Sequence, residues 1–236
     1  MEKPSYQQML DAGVHFGHLR KKWNPKMRPY IFKEHKGVHI IDLNRTSDCL
    51  DRAAAAMKQI AKSGKKIMFV ATKKQAREII TRAAQSVNTP YVTDRWLGGM
   101  MTSFATIRRS VKKMNNIERM LTDATVTNIT KKERLTLSRE RTKMDRVLGG
   151  IANLNRLPSA IFVVDIMHEH LAIQEAERLG VRTFAMVDTN SDPNLVDFPI
   201  PSNDDSSKAI ELITMYLANA IKEGLAERGI EETAEN

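Results

Sequence analysis

The groups best suited to chemistry begin at His15 and His18 in this 236-residue chain. Arg20, Lys21, Lys22, Lys26 and Arg28 follow, with Phe16, Trp23 and Tyr30 interleaved. Two histidines so close could share a metal ion. No cysteine lies nearby and no acid stands at ligand spacing, so the reading is no metal. The cations and aromatics suit a different chemistry. Ammonium and guanidinium groups reach phosphates, while flat rings stack on unpaired bases or riboses. Gly13, Gly17, Pro25 and Pro29 break any period, so residues 13–30 read as a loop.

A second anion-binding arrangement follows the apolar run Ile67-Met68-Phe69-Val70-Ala71, which has the pattern of a parallel strand buried on both faces. Thr72 can cap a helix that begins with Lys73 and Lys74, placing two ammonium groups beside a helix N-terminus. Gly64 precedes the strand and no Gly-x-x-x-x-Gly-Lys-Ser/Thr follows it, so this is not a P-loop. The expected occupant is an RNA phosphate. Arg95 and Trp96 precede the pair Gly98-Gly99. Arg95 is a further phosphate candidate, and Trp96 is either an RNA stacker or a core anchor. Trp23 carries the same two readings.

Two acids offer a catalytic alternative to binding. Asp165 and Asp188 end two buried strands, where acids in an open α/β sheet could hold Mg²⁺. Asp188 to Asp192 begins like a calcium loop, but Pro193 and Pro199 stand where glycine and glutamate are required. No nucleophile is paired with a base, no Gly-x-Gly-x-x-Gly occurs, and His168, Glu169 and His170 read as polar residues at a helix start. The chain is therefore expected to be no enzyme and to need no cofactor. The single cysteine, Cys49, rules out an internal disulfide framework, suits a reducing compartment, and reads as a small core residue.

The elements that carry these groups follow from periodicity. In residues 103–150, Phe104, Ile107, Val111, Met114 and Leu121 recur at helical spacing, with Arg108, Arg109, Lys112, Lys113 and Arg119 on the other faces. Thr130-Lys131-Lys132-Glu133 has the form of a capping box, and Leu137, Met144, Leu148 and Ile151 continue from it. Stripes this narrow predict an antiparallel coiled-coil hairpin that protrudes, reaching about 28 Å if each helix has roughly nineteen residues. The segment holds 12 Lys and Arg against 5 Asp and Glu, a net +7. Glycine pairs bracket it, with Thr102 or Ser103 as a possible cap and Gly149-Gly150 as a possible left-handed stop. A hairpin whose charges merely solvate it, or one that binds proteins as a scaffold, are the alternatives.

Elsewhere the chain alternates strand and helix, with strands at residues 38–43, 67–71, 89–93, 160–165 and 181–188 and helices at 46–61, from 73, from about 168 and at 206–222. Leu171, Ile173, Ala176 and Leu179 are expected to face inward, and residues 189–204 read as a proline-containing loop. This order predicts a doubly wound parallel sheet. The expected division is an α/β domain of residues 1–102 and 151–225, the hairpin of 103–150, and an acidic, disordered tail of 226–236.

The formal net charge of +9 is unevenly distributed. Residues 157–236 hold 5 Lys and Arg against 15 Asp and Glu, and residues 1–156 hold 32 against 13. One basic surface could lie on nucleic acid while an acidic one faces elsewhere. No run approaches eighteen apolar residues, and the first residues lack the apolar stretch of a signal peptide, so a soluble cytoplasmic protein is expected, with no membrane partner.

Five motifs in order carry a resemblance: Gly13-Val14-His15-Phe16-Gly17-His18 with Trp23-Asn24-Pro25-Lys26-Met27, then Phe69-Val70-Ala71-Thr72-Lys73-Lys74-Gln75, Arg95-Trp96-Leu97-Gly98-Gly99, Asp188-Thr189-Asn190 and Asn203-Asp204-Asp205. From about residue 9 to 225 the chain resembles the bacterial S-two family of small-subunit ribosomal proteins. Ser103 stands where that family commonly has asparagine. The resemblance implies a flavodoxin-like domain with a protruding helical hairpin and binding to 16S-type ribosomal RNA, not DNA, across head and body. It also implies a structural role in translation and help in retaining the mRNA-binding protein S-one, for which the acidic third offers a surface. The residues expected to meet RNA are Arg20, Lys21, Lys22, Lys26, Arg28, Lys73, Lys74, Arg95, Trp96, Arg108, Arg109, Lys112, Lys113, Lys131 and Lys132.

Overall fold

A computed structural model describes residues 3–123 and 130–234. Five parallel strands form the main sheet: β4 (Ile67–Val70), β5 (Tyr91–Val92), β6 (Ala160–Val164), β7 (Arg182–Val187) and β8 (Phe198–Pro201). They lie in the order β5-β4-β6-β7-β8. This is the strand order of a flavodoxin-like doubly wound sheet, with its switch point between β4 and β6. Alternate residues sort to opposite faces, as the pleat requires. Phe69, Phe162 and Phe184 point to one side, and Met68, Val70, Ile161, Val163 and Ala185 to the other. Phe69, Phe162, Phe184 and Phe198 lie in register across four strands, with Phe184 and Phe198 stacked at 4.5 Å.

Three helices cover the phenylalanine face: α2 (Leu43–Lys62), α3 (Lys74–Ser86) and α7 (Ser207–Ala234). The other face is covered by α6 (His170–Leu179) and by the base of α4 (Phe104–Thr122) and α5 (Lys131–Leu148). A short α1 (Tyr6–Asp11) opens the chain with a capping box between Ser5 and Gln8. Within α6 the inward residues are Ala172, Ile173, Glu175 and Ala176, while Leu171 and Leu179 are exposed. The inward face is thus shifted from the expected one, because it carries a glutamate.

Residues 13–30 are more ordered than a loop. β1 (Phe16–Leu19), β2 (Ile31–His35) and β3 (Val38–Ile41) form a separate antiparallel sheet in the order β1-β3-β2. β3 therefore does not join the parallel sheet. Two 3₁₀ segments, Arg20–Lys22 and Pro25–Tyr30, separate β1 from β2, and Met27, within the second, is fully buried. β8 was hidden by Pro199 and Pro201, which an edge strand tolerates because one side needs no ladder donors.

The tail expectation needs correction. α7 continues to Ala234, well beyond residue 226. Gly224 lets α7 lie against α2, since a Cβ there would sit 2.4 Å from the Lys58 carbonyl oxygen. Lys58 then pairs with Glu227 at 2.7 Å and with Glu223 at 3.5 Å. Acids that looked like a solvated tail hold the helix to its neighbour. Residues 235–236, and the expected hairpin turn at 124–129, lie outside the described residues.

Candidate nucleic-acid interface

The carboxyl ends of the strands gather a charged cluster. Lys73 Nζ meets Asp205 at 2.6 Å, Asp204 at 2.7 Å and Asp165 at 3.2 Å. Burial alone would lower the Lys73 ammonium, but Asp204, Asp205 and Asp165 hold it well above its ordinary value. Asp204 is pushed up to about 7, by burial first and then by Asp165 and Asp188. Lys73 thus neutralises a buried acidic cluster. The ammonium expected to meet an RNA phosphate is thus engaged by carboxylates of its own chain. Thr72 caps nothing on α3: its N–H and hydroxyl both donate to Glu169 Oε1, at 2.7 and 2.6 Å. Lys74 is exposed at the first turn of α3.

His18 bridges two of these acids, with Nδ1 3.0 Å from Asp188 and Nε2 3.5 Å from Asp205. The hydrogen bond to Asp188 raises its pKa against the opposing effect of burial. One ligand atom from each of His18, Asp188 and Asp205 lies within 4.8 Å of the others, a donor set that could hold a divalent cation. Local spacing hid it, because Asp188 and Asp205 stand far along the chain from His18. His15 takes no part and packs on Phe16, with ring centroids 4.0 Å apart. The His18 N–H donates to Thr189 Oγ1 at 2.8 Å, and a Cβ at Gly17 would meet Thr189 Cγ2 at 2.5 Å. The motif at 188–190 therefore seats the motif at 13–18.

This seating turns the basic residues outward. Arg20, Lys21, Lys22, Lys26 and Arg28 are all exposed. Arg20 pairs with Glu34 at 3.2 Å and Lys26 with Asp192 at 2.6 Å. The Arg20–Glu34 pair is exposed on both sides and therefore weak, while Asp192 of the second pair is largely covered. Trp23 is half-buried and tilts against His39 with centroids 5.0 Å apart.

Trp96 is a core anchor, which removes it from the RNA-stacking set. Only 6% exposed, it donates its indole N–H to Glu175 Oε1 at 3.1 Å. Glu175 also accepts the N–H groups of Gly99 (2.7 Å), Met101 (2.9 Å) and Thr102 (3.0 Å), and the Thr102 hydroxyl (3.1 Å). Burial would raise this carboxyl, yet these donors hold it below the ordinary range. Neither Thr102 nor Ser103 caps α4 by side chain. Gly99 takes φ +86°, which the turn onto the carboxylate demands. Sequence reading missed Glu175 because an acid on a helix face looks solvated. Arg95, beside Trp96, is exposed.

On α4, Ile107, Val111, Met114 and Ile117 are buried, while Arg109, Lys112 and Lys113 are exposed. Lys113 pairs with Glu140 at 2.6 Å, and Arg141 with Glu118 at 2.8 Å, tying α4 to α5. Arg108 is half-buried and donates to the Ala152 carbonyl (3.1 Å) and Asn155 Oδ1 (2.9 Å). Lys131 and Lys132 are exposed at the start of α5, where Thr130 and Glu133 complete the expected capping box. No left-handed stop ends α5. Gly149 is right-handed, and Gly150 is required because a Cβ would lie 2.2 Å from the Tyr91 carbonyl oxygen.

The charge halves also mix. Asp165, Asp188, Asp192, Asp204, Glu211, Glu223 and Glu227 of the acidic third are each paired with a basic or histidine side chain of residues 1–156. The acidic third is thus not an open anionic face.

The family model described as Ribosomal protein S2 matches residues 9–224. The chain belongs to the ribosomal protein S2 family. Among its relatives, the small ribosomal subunit protein uS2 of Cytophaga hutchinsonii is 58% identical over 227 residues, covering 96% of this chain and 89% of that protein. The Porphyromonas gingivalis protein of the same name is 57% identical over 98% of this chain and 83% of its own length. That of Bacteroides thetaiotaomicron is 55% identical, with 98% and 84% covered. The S2 family consists of structural, non-enzymatic components of the small ribosomal subunit that serve translation in the bacterial cytoplasm. Among the described residues, no helix is long and apolar enough to cross a membrane.

Proposed function

We propose that this chain is a structural protein of the small ribosomal subunit that binds 16S-type ribosomal RNA through phosphate contacts and carries no catalytic activity. The observation that carries this reading is a set of exposed cations on α4 and α5. Arg109, Lys112, Lys131 and Lys132 have no carboxylate partner among the described residues. Surface cations left without acids suit a polyanion, and contacts of this kind fix orientation without reading sequence. Arg20, Lys21, Lys22, Lys26, Arg28, Lys74 and Arg95 complete the proposed contacts on the domain, with Arg108 and Lys113 at the flanks of α4. Lys73 and Trp96 are left out because both are engaged internally.

We read α4 and α5 as a protruding antiparallel coiled-coil arm on an α/β domain of residues 1–102 and 151–225. Support comes from the narrow buried stripe of α4 and from α5, in which Leu148 is the one fully buried residue. The arm and the domain would touch different parts of the RNA, bridging head and body. Retention of the mRNA-binding protein S-one belongs to the same proposal, on a surface narrower than the whole acidic third. Sedimentation of the chain with small subunits at low and high salt tests the reading. Salt-sensitive co-sedimentation abolished by ribonuclease supports it, whereas capture unaffected by ribonuclease assigns the arm to protein binding.

A further inference from the structure

Opposite the carboxylate cluster, at the amino ends of β4 and β6, lies a cleft of about 580 Å³. Its apolar lining includes buried Leu154 with Pro90 and the exposed Leu157, and its polar lining includes Asn153, Lys65 and Arg156. No aspartate or glutamate lines it. Lys66 Nζ donates to the Asn88 carbonyl at 3.1 Å, fixing one wall. Among the described residues, the side chains of Lys65, Asn153 and Arg156 have no hydrogen-bond or ion-pair partner. Cations, amides and an apolar lining in one recess are the three things a nucleotide asks for: charge for its phosphate, donors and acceptors for its base edge, and a flat apolar contact for its base face.

One hydrogen bond ties the recess to α4. Arg108 lines a groove on α4 with Arg109, Lys112 and Arg119, and it also donates to Asn155, which lines the cleft. A basic groove joined to a basic pocket through Arg108 and Asn155 favours a strand over a free anion or a peptide. We propose that the cleft takes a single unpaired nucleotide of an RNA whose neighbouring phosphates run along α4, an inference that rests on the RNA-binding reading above. Asn153 would meet the base edge, and Lys65 and Arg156 the flanking phosphates.

The test compares binding of the full chain to an RNA duplex with one bulged nucleotide and to the same duplex without it. Wild type is expected to prefer the bulged duplex about tenfold, in keeping with one stacked base. Lys65→Ala with Arg156→Ala should abolish that preference and lower the salt slope by about two. Both residues are exposed, so the fold should persist, as a circular dichroism melt would verify. Asn153→Ala should reduce discrimination among bulged bases with the salt slope unchanged. Equal binding of the two duplexes by wild type, with both weakened by Arg109→Ala and Lys112→Ala, would overturn the cleft assignment and leave the RNA reading standing. No binding to either duplex or to ribosomal RNA would sink both. Displacement from Lys65 and Arg156 by a peptide but not by RNA would give the cleft to a protein tail and overturn the proposal.

Discussion

The Trp96 indole N–H donates to the buried carboxylate of Glu175, fixing the segment before α4 to the inward face of α6. Four further donors from Gly99, Met101 and Thr102 converge on the same carboxylate. The entry to α4 is therefore gathered on one buried acid. Asp94 adds a second tie, bonding Arg146 of α5 at 3.0 Å and Arg77 of α3 at 3.4 Å.

Glu175→Gln should destabilise the fold by about 2–4 kcal/mol at neutral pH, because an amide NH₂ would face backbone donors and a charge-assisted network would be lost. The folded-state pKa of Glu175 lies below its unfolded value of 4.5. Its contribution is therefore complete above that value and lost as pH falls through the folded pKa. Urea unfolding from pH 7 down to pH 3 should show the gap between wild type and variant closing only below 4.5; a constant gap would contradict the network.

Lys73→Ala and Lys74→Ala should separate stability from binding. Removing Lys73 leaves Asp165, Asp204 and Asp205 facing one another, at a cost of about 3 kcal/mol. Removing Lys74 should change stability by no more than about 0.5 kcal/mol, yet weaken binding to ribosomal RNA. Thermal melts and filter binding on both variants check this, and the reverse pattern would restore Lys73 to the phosphate set.

Replacing Arg109, Lys112, Lys131 and Lys132 together by alanine should lower the salt slope of RNA binding by about four. The melting temperature should hold, since none of these side chains is buried. Titrations with small-subunit ribosomal RNA at several salt concentrations measure the slope, and an unaltered slope would exclude the arm from the contact.

Gly150→Ala should destabilise by about 3 kcal/mol, because the new Cβ would fall 2.2 Å from the Tyr91 carbonyl oxygen and force β5 and the foot of α5 apart. Gly98→Ala meets nothing within 4 Å and should be close to neutral. Equal melting temperatures for the two variants would show that the foot of α5 yields freely.

The parallel sheet was legible because Ile67 to Ala71 and Ala160 to Val164 are short uninterrupted apolar runs, the pattern of strands buried on both faces. The capping box at Thr130 was legible because its partners are three residues apart. What could not be read were relationships across the chain: His18 with Asp188, Lys73 with Asp204, Trp96 with Glu175. In each, a polar residue that looked solvated meets its partner only after folding. β1 and β2 were missed for a related reason, since Gly17, Pro25 and Pro29 punctuate a stretch whose order comes from Met27 and Thr189.

The fit of α7 against α2 also bears on how the protein is made. Ile210, Ile213, Leu217 and Ile221 of α7 share a core with Phe69, Phe162 and Phe184. A growing polypeptide that has not yet reached Ser207 leaves that aromatic layer without one of its three covering helices. Maturation of the domain must then wait for late synthesis, and until then the nascent form is open to chaperones and to misassembly.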